Sequence, residues 1–243
     1  MSEERRKIMK RRLLCAASLL ALMCSGAALA AGIHVAVDID SARRSGSDTS
    51  GTFVTQSGFT SWDMTTFVRT PDPSLTFGDV KLELFGFSAD NQSRGRANGG
   101  GGGSYDALLA DFVYNEGASG RAVALRITGL DVGTYAMQSW HYDSEVSGEN
   151  YIQIEARNRG DSSSTVILVD QRPFGEEPAS FTFDVTAVGQ VKEIVFREDD
   201  LATVTDPTDS NRARLNGFTL TPEPSSLILL LLATGAFWTC RRG

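Results

Sequence analysis

The chain has 243 residues, with 23 basic and 30 acidic side chains, two histidines and three cysteines. That length allows one domain with a proper core, or at most two small ones, and two histidines exclude a histidine-rich metal site. The formal net charge of −7 disfavours nucleic acid and anionic headgroups as partners.

The first segment is basic, with Arg5, Arg6, Lys7, Lys10, Arg11 and Arg12. Leu13 to Leu29 is apolar, and Ala28-Leu29-Ala30 is a small-x-small box. This order predicts a signal peptide over residues 1–30, cut between Ala30 and Ala31 by signal peptidase after export through the Sec machinery. Cys15 and Cys24 lie inside it and Cys240 lies at the far end of the chain. The mature part therefore has no disulfide, thiol nucleophile or thiolate metal site. Six basic residues fall in the leader and two in the tail, leaving 15; only Glu3 and Glu4 leave the acidic set, so 28 stay. The exported part is thus near −13, a balance suited to calcium binding or, more commonly, to simple solubility.

Residues 31–221 carry short β-branched or aromatic runs between Gly, Asn, Asp and Ser clusters, the pattern of a β-sandwich or barrel. Strands are predicted at Ile33–Ile39, Thr52–Phe59, Val80–Phe87, Arg121–Thr128, Thr134–Tyr142, Tyr151–Ala156, Thr165–Asp170, Ser180–Val185, Gln190–Arg197 and Arg214–Thr221. Gly129 and Gly133 bracket a connection to which they can supply positive φ. Tyr105–Val113 is the one helix expected, about two turns long. Ser88–Ser104, with five glycines at 99–103, is expected to be a mobile loop. No lysine stands near to make it a phosphate cradle. The whole reads as one all-β domain.

The tail begins with Pro222, Glu223 and Pro224, continues through Ser225 and Ser226 into an apolar run from Leu227 to Cys240, and ends with Arg241 and Arg242 before the last glycine. A helix over about 226–240 is the expectation. The apolar run, at about 1.5 Å per residue, reaches about 21 Å, short of a hydrocarbon core near 30 Å. The arginines predict a cytoplasmic end, which leaves everything before Pro222 outside. The prolines hold Glu223 on a stiff, extended spacer. This three-part arrangement over residues 222–243 resembles the PEP-CTERM sorting signal of Gram-negative bacteria. The resemblance implies exosortase as partner, cleavage near the Pro-Glu-Pro, transient membrane anchoring and delivery to the cell envelope, surface or exterior. A looser similarity joins LLADFVY, ITGLDVGTYAMQSWHYD and the late RLNGFTL segment to galactose-binding-like or jelly-roll modules of exported planctomycete-type proteins. It implies a single jelly-roll sandwich and transfers no sugar site.

Several residues could carry chemistry. Trp140 and Tyr142 share a strand face and could stack on a sugar ring, with Asp143 accepting from a hydroxyl. The same alternation is satisfied by both rings packing in the core with His141 and Asp143 outward, which is the commoner outcome. Asp38 and Asp40 share a face of the first strand, and Asp199, Asp200, Asp206 and Asp209 make an acidic loop. Either set could offer oxygens to calcium, but no fixed loop spacing accompanies them. Arg94 and Arg96 could clamp an acidic sugar, but read more commonly as exposed loop charges or with one of them paired to an acidic neighbour. No nucleophile elbow accompanies His141, no catalytic residue is assigned and no cofactor beyond a structural calcium is expected. The expectation is an exported, non-catalytic envelope or matrix protein, glycan-associated or structural, with extracellular polysaccharide as a partner. The alternative is a secreted hydrolase or lyase acting on polysaccharide.

Overall fold

The computed structural model describes residues 34–42, 53–67, 73–86, 91–96, 103–115, 122–143, 152–161, 165–171, 177–198 and 213–223. The leader and its cleavage box, the glycines at 99–102, the acidic residues 199–209 and the tail from Pro224 lie outside them. The chain divides into Met1–His34 with Pro222–Gly243, and Val35–Thr221; the strands belong to the second unit, the last of them reaching Pro222. Among the described residues no helix is long and apolar enough to cross a membrane.

Strands β1 (Val35–Asp40), β2 (Thr60–Asp63), β8 (Gly133–Trp140), β11 (Ala179–Val185) and β13 (Gly217–Pro222) form one sheet in the order β11-β8-β13-β1-β2. Strands β3 (Ser74–Phe77), β4 (Val80–Gly86), β7 (Ala122–Thr128), β9 (Ile152–Asn158), β10 (Thr165–Gln171) and β12 (Lys192–Glu198) form the other, in the order β10-β9-β12-β7-β4-β3. A separate ribbon pairs β5 (Asn91–Gly95) with β6 (Asp111–Asn115). β1 pairs with β2 in parallel and with β13 antiparallel, and the pairs β11–β8, β10–β9, β9–β12, β12–β7, β7–β4, β4–β3 and β5–β6 are antiparallel.

The later pairings are nested. β10 lies beside β9, β11 beside β8 and β12 beside β7, while Leu215, just before β13, bridges Val113 of β6. A long hairpin wrapped on itself in this way alternates between two sheets, which is jelly-roll winding. The expected all-β jelly-roll sandwich is what the chain forms. Period-two alternation supplies the core: Val35, Val37 and Ile39 from one sheet meet Leu82, Leu84, Leu125, Ile127, Ile154, Ile194 and Phe196 from the other in a single cluster.

Three expectations need correction. Tyr105–Val113 is not a helix: residues 104–110 make turns, with Leu109 N–H donating to Tyr105 at 3.0 Å, and the chain then enters β6. Asp111–Asn115 is buried at every position, so no polar face exists for an amphipathic helix to keep wet. The run Thr52–Phe59 is coil and turn from residue 53 to 59, and the strand begins at Thr60. Strand β5 lies in the expected loop Ser88–Ser104; its polar sequence NQSRG is extended because β6 offers it a ladder.

Gly129 connects β7 to β8 with φ of 81°. A Cβ built there would lie 1.9 Å from the carbonyl oxygen of Asp79. Gly189, φ 74°, has nothing within 4 Å. Gly189→Ala should therefore cost about 1 kcal/mol, the left-handed backbone term alone. Gly129→Ala should cost at least about 2 kcal/mol, because the Asp79 turn must also move. Urea denaturation of the two variants checks the difference, and equal losses would refute the close approach.

Candidate functional site

The end of β8 and the start of β13 gather a connected group of buried polar residues: Ser139, His141, Asp143, Arg214 and Asn216. Trp140, His141 and Asp143 are buried and Tyr142 is half-buried. On β8, Met137 points into the main core, so Trp140, three residues on, points out of the opposite face of the sheet. There it enters a second small cluster with Leu108, Leu109, Phe59, Tyr105 and Tyr142. Phe59 meets the indole edge-on at 5.8 Å and Tyr105 lies tilted over it at 5.2 Å. At 2 % exposure the indole has no open face for a sugar ring, whereas Tyr142 stays half-buried. The indole's cover comes from two non-strand segments, 53–59 and 103–110, that single-strand periodicity cannot place.

Asp143 is not a free acceptor either. Its Oδ1 receives Arg96 Nε at 2.8 Å, and its Oδ2 receives Arg96 Nη2 at 2.8 Å and Arg214 Nε at 3.0 Å. All three side chains are buried. Both guanidiniums also lie against the Phe112 ring, their carbons 5.3 and 5.8 Å from its centre. Of the alternatives read from the sequence, Arg96 takes the pairing with an acidic residue and is neither a surface charge nor a sugar clamp. Arg94 sits over the Tyr114 ring at 5.5 Å.

His141 points the other way, toward Phe196, with ring centres 5.1 Å apart. Its Nδ1 bonds the carbonyl of Arg214, which can only accept, so Nδ1 carries the proton in the neutral ring. Nε2 then accepts from Ser139 Oγ at 2.7 Å. Burial pushes this imidazole down to about 4, against a smaller opposing pull from the Arg214 carbonyl. Ser139 is fully buried. Asn216 finishes the network: its amide donates to the carbonyls of Leu109 (3.3 Å) and Asp111 (2.9 Å) and accepts from Tyr142 N–H at 2.6 Å.

Asp38 and Asp40 lie on the same outer face as Trp140, opposite Val37 and Ile39, and both are fully buried. Gln56 N–H donates to Asp38 Oδ2 at 2.5 Å and Thr55 Oγ1 to Asp40 Oδ2 at 2.8 Å. Gln56 also bonds Ser104 and Leu108, so one side chain joins the two covering segments. Burial, above all, raises Asp38 to about 8, and the charges of Asp40 and Asp111 push the same way. Asp40 is raised too, again chiefly by burial. Among the described residues Asp38 Oδ1 and Asp40 Oδ1 have no hydrogen-bond partner. Two orphaned oxygens on one strand face fit a hard cation as far as two ligands go, where calcium takes about six to eight. Among the described residues no three His, Cys, Asp or Glu side chains form a metal-binding group. The rest of a shell would have to come from carbonyls, hydroxyls or water.

The residues that sequence reasoning missed are Arg214, Asn216 and Gln56. Each acts across 18 to 107 positions of chain, a separation with no periodic signature.

No family model matches the chain, and no curated protein matches it. Among solved structures it is similar to TmCBM61 in complex with beta-1,4-galactotriose, at 14 % identity and TM-score 0.35, covering 58 % of this chain and 88 % of that one. It is also similar to CBM29_1, a family 29 carbohydrate binding module from Piromyces equi (10 % identity, TM-score 0.32, 62 % and 85 % covered). A third is the CBM35 from Cellvibrio japonicus Abf62 (11 % identity, TM-score 0.30, 54 % and 93 % covered). At these scores the likeness carries no weight beside the strand pairing.

Asp143→Asn should destabilise the fold by about 3–5 kcal/mol, because Arg96 and Arg214 lose their buried counter-charge; chemical denaturation measures it, and a loss below 1 kcal/mol would contradict the burial. Asp38 in the folded state keeps a proton that the unfolded chain, with its ordinary value of 3.8, has released. Its contribution is fully present below pH about 4 and is lost as pH rises to about 8. His141 is the reverse: its contribution is full above about 6.5 and lost as pH falls toward 4. In thermal melts against pH, Asp38→Asn should therefore flatten the decline between pH 5 and 8, with parallel curves counting against it. Excess calcium should raise the wild-type midpoint more at pH 8 than at pH 5 if the pair holds a cation, and no shift at either pH would remove the metal reading.

Proposed function

We propose that this is an exported, exosortase-sorted protein of the cell envelope or extracellular matrix, non-catalytic, and associated with glycan or structural in role. The observation that carries the reading is the join between fold and tail. β13 is an interior strand of its sheet, flanked by β8 and β1, and it runs to Pro222. Glu223, the next residue, is exposed, and Pro224, the apolar run and the two arginines follow at once. The sandwich thus ends where the processing motif begins, which supports a folded cargo delivered on a removable tail. Sec, signal peptidase and exosortase are the proposed processing partners. The acidic surface and cysteine-free sandwich suit an exterior location with no dependence on thiol redox state.

Intact mass of the protein recovered from its exporting host tests the reading. The expected species lacks residues 1–30 and everything after the Pro-Glu-Pro. A species that retains Leu227 onward would end the sorting proposal. For the glycan arm, binding to a polysaccharide panel without release of reducing or unsaturated ends is expected, and such release would favour the hydrolase or lyase instead.

A further inference from the structure

The two large sheets end in four strands, β2 and β11 on one, β3 and β10 on the other. An unpaired strand edge invites pairing with another chain, and folded proteins blunt such edges with short strands, bulges, lysine or proline. Three of these four are blunted. β2 and β3 have four residues each, and β10 breaks register with β9 between Val166 and Leu168 and again between Leu168 and Gln171. β11 is the exception. Its seven residues pair one for one with β8, from Ala179 opposite Ser139 to Val185 opposite Gly133, without a bulge. It contains no lysine, arginine or proline, and Pro178 lies just outside it. Among the described residues no strand pairs with its other side.

The strand is also held ready. Ala179, Phe181, Phe183 and Val185 are buried in the core, with Phe183 stacked on Tyr135 at 5.8 Å, so little ordering is left to do on binding. Ser180, Thr182 and Asp184 are exposed on the outer face. Asp184 is the one charge, and Thr134 Oγ1 on β8 donates to it at 2.7 Å, which draws it away from the edge. These residues are complementary to themselves. In an antiparallel pair about a two-fold axis at Thr182, the two Thr182 side chains face each other and each Ser180 faces the other copy's Asp184. Each Phe181 then lies opposite the other copy's Phe183. Threonine pairs, a serine beside a carboxylate and aromatic pairs are all favourable across strands. An axis at Asp184 would set two carboxylates face to face, and any axis away from Thr182 leaves part of the strand unpaired.

We propose that β11 is the pairing edge of a two-fold dimer, in which the five-stranded sheets of two copies of this chain join into one continuous sheet. The contact uses β11 of both copies and the other edges are blunted, so assembly closes at two. The proposal goes beyond the sorting and glycan readings and rests on neither. Sedimentation of the full chain in density-matched mild detergent should show a monomer–dimer equilibrium that shifts with concentration. Thr182→Lys and Thr182→Glu, at an exposed position, should each weaken the dimer about tenfold, the scale of replacing a favourable cross-strand pair by like charges. Mixed in equal amounts, the two variants should dimerise with each other, because the axis sets the new side chains, of opposite charge, face to face. Thr182→Cys, with Cys15, Cys24 and Cys240 changed to Ala, should cross-link two chains under mild oxidation by dissolved oxygen. Gln138→Cys in that background, exposed on the interior strand β8, should not. Thermal midpoints of the variants in dilute solution separate lost pairing from lost structure. A wild-type chain that stays monomeric at every concentration overturns the dimer. A dimer that neither charged variant weakens, or that their mixture fails to restore, overturns the β11 edge, and growth into larger oligomers overturns the two-fold closure.

Discussion

One buried carboxylate holds three distant parts of this chain in register. Asp143 lies just beyond the end of β8, Arg96 just beyond the β5 strand of the ribbon, and Arg214 just ahead of β13. An ion placed this deep costs several kcal/mol to desolvate and is stable only with its counter-charges and hydrogen bonds in place. The three segments are therefore fixed together or not at all. The ribbon is packed at its Phe112 ring by the same two guanidiniums, and β13, a central strand, enters its sheet from the same point. Asn216 repeats the device with neutral groups, bonding the 109–111 backbone and Tyr142 while its own main chain joins Trp140 and Ile39.

That arrangement explains why the five-stranded sheet is covered on both faces over β1, β8 and β13. One face packs on the main core. The other is roofed by segments 53–59 and 103–110, with Trp140 beneath them. Gly217 belongs to this roof: a Cβ there would meet Leu108 and the Val37 carbonyl at 2.5 Å, so only glycine lets the roof lie down on β13. Covering the sheet also encloses Asp38 and Asp40. Their raised proton affinity is a consequence of the roof, since in an open strand the same pair would be solvated.

Much of the fold could be read from the sequence where a strand repeats with period two. Val80–Gly86, Ala122–Thr128, Gly133–Trp140 and Ala179–Val185 lie close to their expected limits because alternate residues meet the core. β5 and β6 could not be read so. β6 is buried on every side chain and β5 is polar, so neither alternates, and each is a strand because the other pairs with it. The candidate site divides in the same way. The Trp140–Asp143 segment stood out by residue type, whereas what its rings and carboxylate do depends on Phe59, Tyr105, Arg96 and Arg214. The unpaired edge of β11 was still less visible, because only the winding decides which strand ends a sheet.

The sequence alone determined the class of the fold, through short alternating runs and turn residues, and the expectation of export, through the order of parts at the two ends. Both rest on local signals, in which neighbouring residues interact through spacing along the chain. The tertiary structure decided which polar groups are buried, which aromatic faces are closed and which strand stands at the edge of a sheet. Those depend on segments tens of residues apart meeting at hydrogen-bond distance. Burial, the quantity that sets proton affinity and access alike, is a property of that meeting.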